Sequence, residues 1–442
     1  MTDRSGFAIT VDQNKYLADG GSEVHAVVTI EADGTATSLS GQAPGSGGSG
    51  SGGTEAAEVI IIDTSGSMDV PRTKISSAKR AAQKAVDTIS DGVYFAIVSG
   101  SHEAGMIFPR GRFMVRASDE TRHDAKYAIR DCVAVGGTAM GTWLRLAGEL
   151  LAKHPQAIKH AILLTDGENE HESPEQLDQI LGAVAGTFVC DCRGVGTDWN
   201  PAELRRIASA MLGSLLDIPR PQDLEVDFEQ MTRTAMGKTV ADLALRIWTP
   251  QGATLRFVKQ VMPAVEDLTS RRTDSAPLAG DYPTGSWGKE SRDYHICVEV
   301  PPGSMGREMR AAWVKLVVPG SEQVLASGNV LAEWTDDEAK STQINQRVAH
   351  YTGQEQLASD IQEGLAAYQE GDVDTATARL GRALVLAREA GHNETVALLN
   401  KVVEGDPETG TARLRKRVDR ADEISLETRS TRTVRTRQKS GE

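Results

Sequence analysis

The sequence predicts an α/β chain: a doubly wound, mostly parallel sheet flanked by helices, inserted in an antiparallel β-sandwich and followed by a C-terminal helical segment. Three observations predict it. From Glu55 to about Met236, short apolar runs alternate with stretches of helical periodicity; strands separated by helices imply crossover connections and parallel pairing. From about Lys238, strand-like runs follow one another with only turn residues between them, the pattern of an antiparallel sandwich. Beyond Asp336, apolar residues recur at helical spacing.

Taken in order, Phe7–Val11 and Glu23–Ile30 read as strands joined through Asp19-Gly20-Gly21. They need partners, and the simplest topology has them complete the later sandwich. Gly41–Gly53 is almost entirely Gly and Ser, a flexible linker by composition. Glu58–Ile62 is a buried strand, and Thr73–Ile89 a helix with apolar residues at Ile75, Ala78, Ala82, Ala85, Val86 and Ile89. Val93–Ser99 and Gly105–Phe108 are strands; Ser118 caps a helix over Asp119–Cys132. Gly136-Gly137-Thr138 opens another helix through Leu151, and Ala161–Thr165 is a strand ending in Asp166. Ser173-Pro174 starts the next helix, and Phe188–Val195, Pro201–Ala210, Ser214–Ile218 and Pro221–Met236 complete the α/β set. Strands then follow at Val240–Thr249, Thr254–Met262, Asp293–Val300, Arg310–Val318 and Val324–Ala332, and helices at Glu338–Gln369, Val373–Ala390 and Asn393–Val403. The domains therefore read as 1–40 (strands completing the sandwich), 41–54 (linker), 55–236 (α/β), 237–335 (sandwich), 336–405 (helical) and 406–442 (a basic tail expected to be disordered apart from a helix near Leu414–Ile424).

The 442 residues suffice for two or three cores, and the net charge of −14 argues against general nucleic-acid or anionic-membrane binding. The sign is uneven: Thr411–Glu442 holds ten Lys/Arg against five Asp/Glu. The first residues show no signal-peptide pattern, and no apolar run approaches the roughly 20 residues that span a bilayer. Four cysteines are too few for a disulfide framework, and Cys190 and Cys192 have no further zinc ligands near them in sequence. Reduced thiols and a cytoplasmic location are the expectation.

The chemistry concentrates after the first α/β strand. Asp63, Ser65 and Ser67 alternate in the loop at its carboxyl end, where open α/β sheets bind ligands. Oxygen ligands without His or Cys favour a hard cation, magnesium first, with manganese or calcium as substitutes. Thr138, in its Gly-Gly-Thr loop, and Asp166, after another strand, bring oxygens to the same sheet edge. Asp69 adds a carboxylate nearby that reads as solvated. His123, His154, His160 and His171 show no ligand spacing and read as surface residues.

Together, Asp63-Thr64-Ser65-Gly66-Ser67, Thr138 and Thr165-Asp166-Gly167 resemble the metal-ion-dependent adhesion site of von Willebrand factor A domains, over roughly residues 55–236. The resemblance implies a doubly wound sheet with Mg2+ at its carboxyl edge. It implies that the hydroxyls of Ser65, Ser67 and Thr138 coordinate the ion, while Asp63 and Asp166 often act through water. Neutral hydroxyls leave the ion electrophilic, so the site suits an Asp or Glu carboxylate of a protein partner. An enzyme reading, an aspartyl-phosphate phosphatase with Asp63 as nucleophile, needs a second acid two residues on as proton donor; Ser65 stands there. Another alternative is an accessory subunit of a chelatase-type ATPase, as some von Willebrand A proteins are. The layout also resembles actinobacterial von Willebrand A proteins that accompany Ser/Thr kinases and forkhead-associated domains. On that resemblance, the threonines of Glu427–Arg437 read as kinase substrates that could dock a phosphothreonine-binding domain; the plain alternative is a solvated basic tail.

Overall fold

The computed structural model describes residues 5–36, 55–405, 412–415 and 417–435. The linker predicted at 41–54 and the sequence beyond Arg435 lie outside the described residues. The chain divides into two compact units, one of Thr37–Ala241 with Gly285–Gly288, the other of Met1–Ala36, Asp242–Thr284 and Lys289–Glu442.

Before the linker lie β1 (Phe7–Gln13), β2 (Tyr16–Leu17) and β3 (Glu23–Ala32). The α/β unit then runs β4 (Ala56–Asp63), α1 (Thr73–Thr88), β5 (Tyr94–Gly100), β6 (Ala104–Phe108), β7 (Val115–Arg116), α2 (Asp119–Asp131), α3 (Met140–Leu151), β8 (Ile158–Thr165), α4 (Pro174–Val184), β9 (Val189–Val195), α5 (Pro201–Ala210), β10 (Leu215–Ile218) and α6 (Leu224–Met236). Its sheet has the order β10-β9-β8-β4-β5-β6, with β7 also pairing β5. The five strands from β10 to β5 are parallel, while β6 and β7 are antiparallel to β5.

Burial on both faces explains the unbroken Val59–Ile62 run, in which every side chain is buried. Ile60 and Ile62 join Ile75, Ala82, Phe95 and Phe228 in the core under α1 and α6, and α3 covers β4 and β5. The helices start on local signals. Ser118 and Ser173 each form a reciprocal capping box, and Asn200 accepts from two amides ahead of Pro201. Chain order reverses beside β4, since β5 lies on one side of it and β8 on the other. That reversal opens a crevice at the carboxyl ends of β4 and β8.

The other unit holds β11 (Lys238–Trp248), β12 (Thr254–Met262), β13 (Glu266–Asp267), β14 (Thr273–Ala276), β15 (Ala279–Gly288), β16 (Glu290–Glu299), β17 (Glu308–Val317) and β18 (Val324–Trp334), apart from residues 238–241 of β11 and 285–288 of β15, which belong to the first unit. Two sheets result, β1-β3-β16-β12-β13 and β14-β15-β11-β17-β18-β2; the short β2–β18 pair is parallel, while β1–β3, β3–β16, β12–β16, β12–β13, β14–β15, β11–β17 and β17–β18 are antiparallel. β3 pairs with β16 over ten residues, so the segment before the linker is hydrogen-bonded into this unit. The sequence reading has no strand at β15, whose Ala-Gly-Asp-Tyr-Pro-Thr-Gly-Ser-Trp-Gly is poor in strand formers. Buried Tyr282 and Trp287 hold it in the sheet.

Helices α7 (Glu338–Ser341), α8 (Gln346–Glu370), α9 (Val373–Glu389) and α10 (Asn393–Val402) follow. α8 packs on the first sheet through Val348 and Tyr351 against Val27 and Val261. Then come β19 (Val403–Gly405), β20 (Ala412–Leu414) and α11 (Arg420–Arg429). The expectation of a disordered tail from 406 is corrected here for the described residues. Leu426 of α11 enters the cluster of Leu357, Ile361, Leu384 and Leu399, and further on the Val434 amide donates to Gln354 Oε1 at 2.9 Å. Two apolar residues in a run of charges carry no visible periodicity; tertiary contacts order the segment. Thr428 is buried, with its hydroxyl on the Ile424 carbonyl at 2.8 Å, which removes it from the accessible threonines of this stretch.

Candidate metal centre

The loop after β4 is a single turn of 3₁₀ helix over Gly66–Asp69. Met68 is fully buried and anchors it, while Ser67 faces outward. Two backbone bonds tie this loop to the one before α3: the Gly66 amide donates to the Gly136 carbonyl at 2.9 Å, and the Val135 amide to the Thr64 carbonyl at 2.6 Å. Gly136 has φ +91°, the left-handed region, and a side chain there would strike His102. The glycines of Gly-Gly-Thr thus let two loops meet and bring Thr138 to the crevice.

All five residues predicted from sequence lie at this sheet edge. Asp63 and Asp166 are fully buried, Ser65 and Thr138 nearly so. Asp63 Oδ1 accepts from the Ser65 amide at 2.7 Å, and Oδ2 from the Thr165 hydroxyl at 2.6 Å. The Ser65 and Ser67 hydroxyls are 2.9 Å apart, and Ser67 donates to Asp166 Oδ1 at 2.7 Å. Thr138 is connected more loosely. A Cβ on Gly167 would sit 3.3 Å from Ser67 Oγ and 3.5 Å from Thr138 Oγ1, so the absent side chain leaves a cradle edged by both hydroxyls. Asp69 is exposed and near Arg72 at 3.6 Å, away from this network.

Sequence reasoning missed several supporting residues. Lys74 of α1, only 6% exposed, places Nζ 2.7 Å from Asp166 Oδ2 and 2.9 Å from Asp198 Oδ2. The contact with Asp166 is a buried ion pair, so Oδ2 faces the ammonium while Oδ1 takes the Ser67 hydroxyl. Burial disfavours the Lys74 charge, but the two aspartates outweigh it and raise its pKa. Burial likewise pushes the Asp63 carboxyl up to about 6, against hydrogen bonds from Ser65 and Thr165 and with the Asp166 charge adding to the rise. Asn169 Oδ1 accepts from the Met140 amide, and Glu172 Oε2 from the Gly141 amide, so the loop after β8 caps α3. His171 accepts at Nδ1 from the Thr138 amide at 3.3 Å. Lys74 lies eleven residues after Asp63, and only the turn into α1 points it back. Thr165 was within reach of sequence, being adjacent to Asp166 at a strand end.

The reading of one other residue changes. His160 is not at the surface: it is buried between Glu58 and Asp191 on three adjacent strands. Cys190 and Cys192 are buried and unbridged, as are all four cysteines unbridged.

The donor set at the crevice is all oxygen, and the side chain absent at Gly167 leaves a cradle edged by the Ser67 and Thr138 hydroxyls. Those features fit a hard divalent cation.

Comparison with known proteins agrees with this geometry. Residues 57–215 match the family model of the von Willebrand factor type A domain, and residues 385–430 that of the von Willebrand factor type A C-terminal domain. A solved von Willebrand factor type A protein from Catenulispora acidiphila is 50% identical, with 98% of each chain covered and a TM-score of 0.91. The ArnB paralog VWA2 from Sulfolobus acidocaldarius shares the fold at 16% identity, covering 97% of this chain and 98% of that one with a TM-score of 0.56. An uncharacterized Synechocystis protein is 31% identical over 219 residues, 48% of this chain and 49% of its own length; the match thus spans about half of that relative. The second family match covers the end of α9 and all of α10 and α11. This chain belongs to the von Willebrand factor type A family.

Proposed function

We propose that the chain is a divalent-cation-dependent protein-binding module, not an enzyme, that takes an Asp or Glu side chain of a protein partner at the Asp63 crevice. Ser65, Ser67 and Thr138 would hold Mg2+ through their hydroxyls, with Asp63 and Asp166 as the nearby acids. When bound, the ion supplies an electrophilic position for a carboxylate. Two features of the chain suit that role. Ser67 is the exposed member of the network, so the crevice opens to solvent on the hydroxyl side. The acids are buried and restrained, Asp63 by Ser65 and Thr165, and Asp166 by Ser67 and Lys74. Ser65 occupies the position where a proton-donating acid would support phosphoryl chemistry, and its hydroxyl is committed to Ser67. That single observation carries the reading. A kinase-linked scaffold role rests on the Arg/Thr-rich end of the chain alone, where Thr428 is buried.

Two measurements test it. Calorimetry with Mg2+ should give binding to the native chain and none to Asp63→Ala; unchanged affinity in the variant sinks the site. Affinity capture from a native extract, with Mg2+ and with EDTA, should yield partners that require the ion and are lost in Asp63→Ala. Identical sets in both buffers would end the ion-dependent reading.

A further inference from the structure

A second group of metal-binding side chains lies on the sheet of β1, β3, β16, β12 and β13. The register of β3 and β16 sets His25 opposite Cys297. Glu23 stands two residues before His25, and His295 two before Cys297, so all four project from one face. The Cys297 thiol is 3.7 Å from His25 Nε2. One ligand atom from each of Glu23, His25 and Cys297 lies within 4.8 Å of the others. A tetrahedral zinc ion with sulfur at about 2.3 Å and nitrogen at about 2.0 Å holds those two atoms roughly 3.5 Å apart. The Cys297–His25 pair already stands close to that separation.

The surroundings orient His25 as a ligand. Its Nδ1 is 3.1 Å from His295 Nε2, and His295 Nδ1 is 2.5 Å from Glu355 Oε1 on α8. The other Glu355 oxygen takes Lys259 Nζ at 2.7 Å. Glu355 accepts from His295 Nδ1, and a neutral His295 then presents Nε2 as the acceptor for a proton on His25 Nδ1. His25 Nε2 then carries a lone pair facing the thiol. Metal-binding histidines are held in this way, with the second nitrogen tied to an outer carboxylate; here a second histidine relays the contact. Phe257, opposite Cys297 on β12, packs edge-on to His295 at 5.0 Å and fixes the relay sideways. Cys297 and His295 are buried, His25 is half-buried and Glu23 is exposed, so the group opens to solvent at Glu23.

We propose that Glu23, His25 and Cys297 form a second metal site, for a borderline-soft divalent cation of the zinc class, with a fourth position left for water or an external ligand. Sulfur and imidazole select against Mg2+ and Ca2+, so the site is chemically separate from the all-oxygen crevice at Asp63. Binding replaces the Cys297 S–H bond with a metal–thiolate bond and releases one proton to solvent, so affinity falls as pH falls.

Cobalt(II) is the probe, added to the reduced full chain. Stoichiometric Co2+ should produce thiolate-to-cobalt absorption in the near ultraviolet with tetrahedral bands in the visible; Zn2+ should abolish both and excess Mg2+ neither. An all-oxygen site cannot produce the thiolate band, so the reading is independent of the Asp63 crevice. Cys297→Ser should lose the band and Cys132→Ser keep it. Glu355→Gln should weaken Co2+ binding about 10- to 100-fold through the relay. Glu23 is exposed, so Glu23→Gln remains informative if Cys297→Ser fails to fold, and it should weaken binding at least about tenfold. Absence of a thiolate band, a band that survives in Cys297→Ser, or native affinity in Glu23→Gln overturns the site.

Discussion

At each of two levels along its strands the parallel sheet sets two carboxylates beside one cation, and treats them differently. Low on the strands, Glu58, His160 and Asp191 form a row across β4, β8 and β9. His160 Nδ1 is 2.9 Å from both Glu58 oxygens, and Nε2 is 3.1 Å from Asp191 Oδ2. The remaining Asp191 oxygen accepts the Ser214 amide and hydroxyl at 2.6 and 2.7 Å. At the carboxyl ends, Asp63 and Asp166 have Lys74, but Lys74 pairs with Asp166 and Asp198 and not with Asp63. The titration of the acids reflects the difference. Burial alone would raise Asp191, yet His160 holds it well below the usual carboxylate range, whereas Asp63 is pushed up to about 6. A buried cation placed between two acids closes a network; one placed to the side leaves the other acid short of positive charge. The first arrangement is structural, and the second suits an added cation.

Substitutions can break or sharpen this contrast. The largest effect on stability should come from His160→Ala, which leaves the fully buried Glu58 and the half-buried Asp191 without their cation. It should cost about 3–5 kcal/mol in urea unfolding, and a loss below about 1 kcal/mol would mean that the row is not a closed network. The same residue sets a pH dependence. Burial would lower the His160 pKa, but the Glu58 charge and the hydrogen bonds to Asp191 and Glu58 raise it to about 10. A folded-state value above the unfolded one contributes stability that is complete below about 6.5 and lost as pH rises through about 10. Native stability should therefore fall across that window, and His160→Ala should lack this component.

At the other level, Thr165→Val removes the hydroxyl that serves Asp63 Oδ2 and should cost about 1–3 kcal/mol without metal. Added Mg2+ should recover part of the loss, measured as a rise in Tm. Lys74→Met takes the ammonium from the fully buried Asp166 and so should destabilise the metal-free fold; its effect on Mg2+ is the smallest of these, a tightening of about tenfold, or ~1.4 kcal/mol, because an ammonium beside Asp166 opposes a second cation. Weaker binding in calorimetry would instead make Lys74 a necessary prop for Asp166.

The two candidate metal sites show what kind of ligand set a sequence exposes. Asp63, Ser65 and Ser67 sit within five residues at a strand end, where loops carry chemistry, and Thr138 and Asp166 follow comparable signals. Glu23 and His25 are separated from Cys297 by more than 270 residues and lie within strands, where alternation predicts a face but not the neighbour across the ladder. His160 and Lys74 were hidden for a related reason: a charged residue in a strand or helix reads as a solvated one until a partner strand or loop is known to cover it.

By itself, the sequence determined the alternation of strands and helices, the helix starts at Ser118 and Ser173, and the adhesion-type oxygens, because periodicity, capping and loop chemistry are local. Tertiary structure alone decided that β15 forms despite its glycines and proline, that α11 is ordered, that Lys74 faces Asp166, and that His25 meets Cys297. Each of these depends on contacts between segments far apart in the chain, where the energy of burial and pairing exceeds weak local preference.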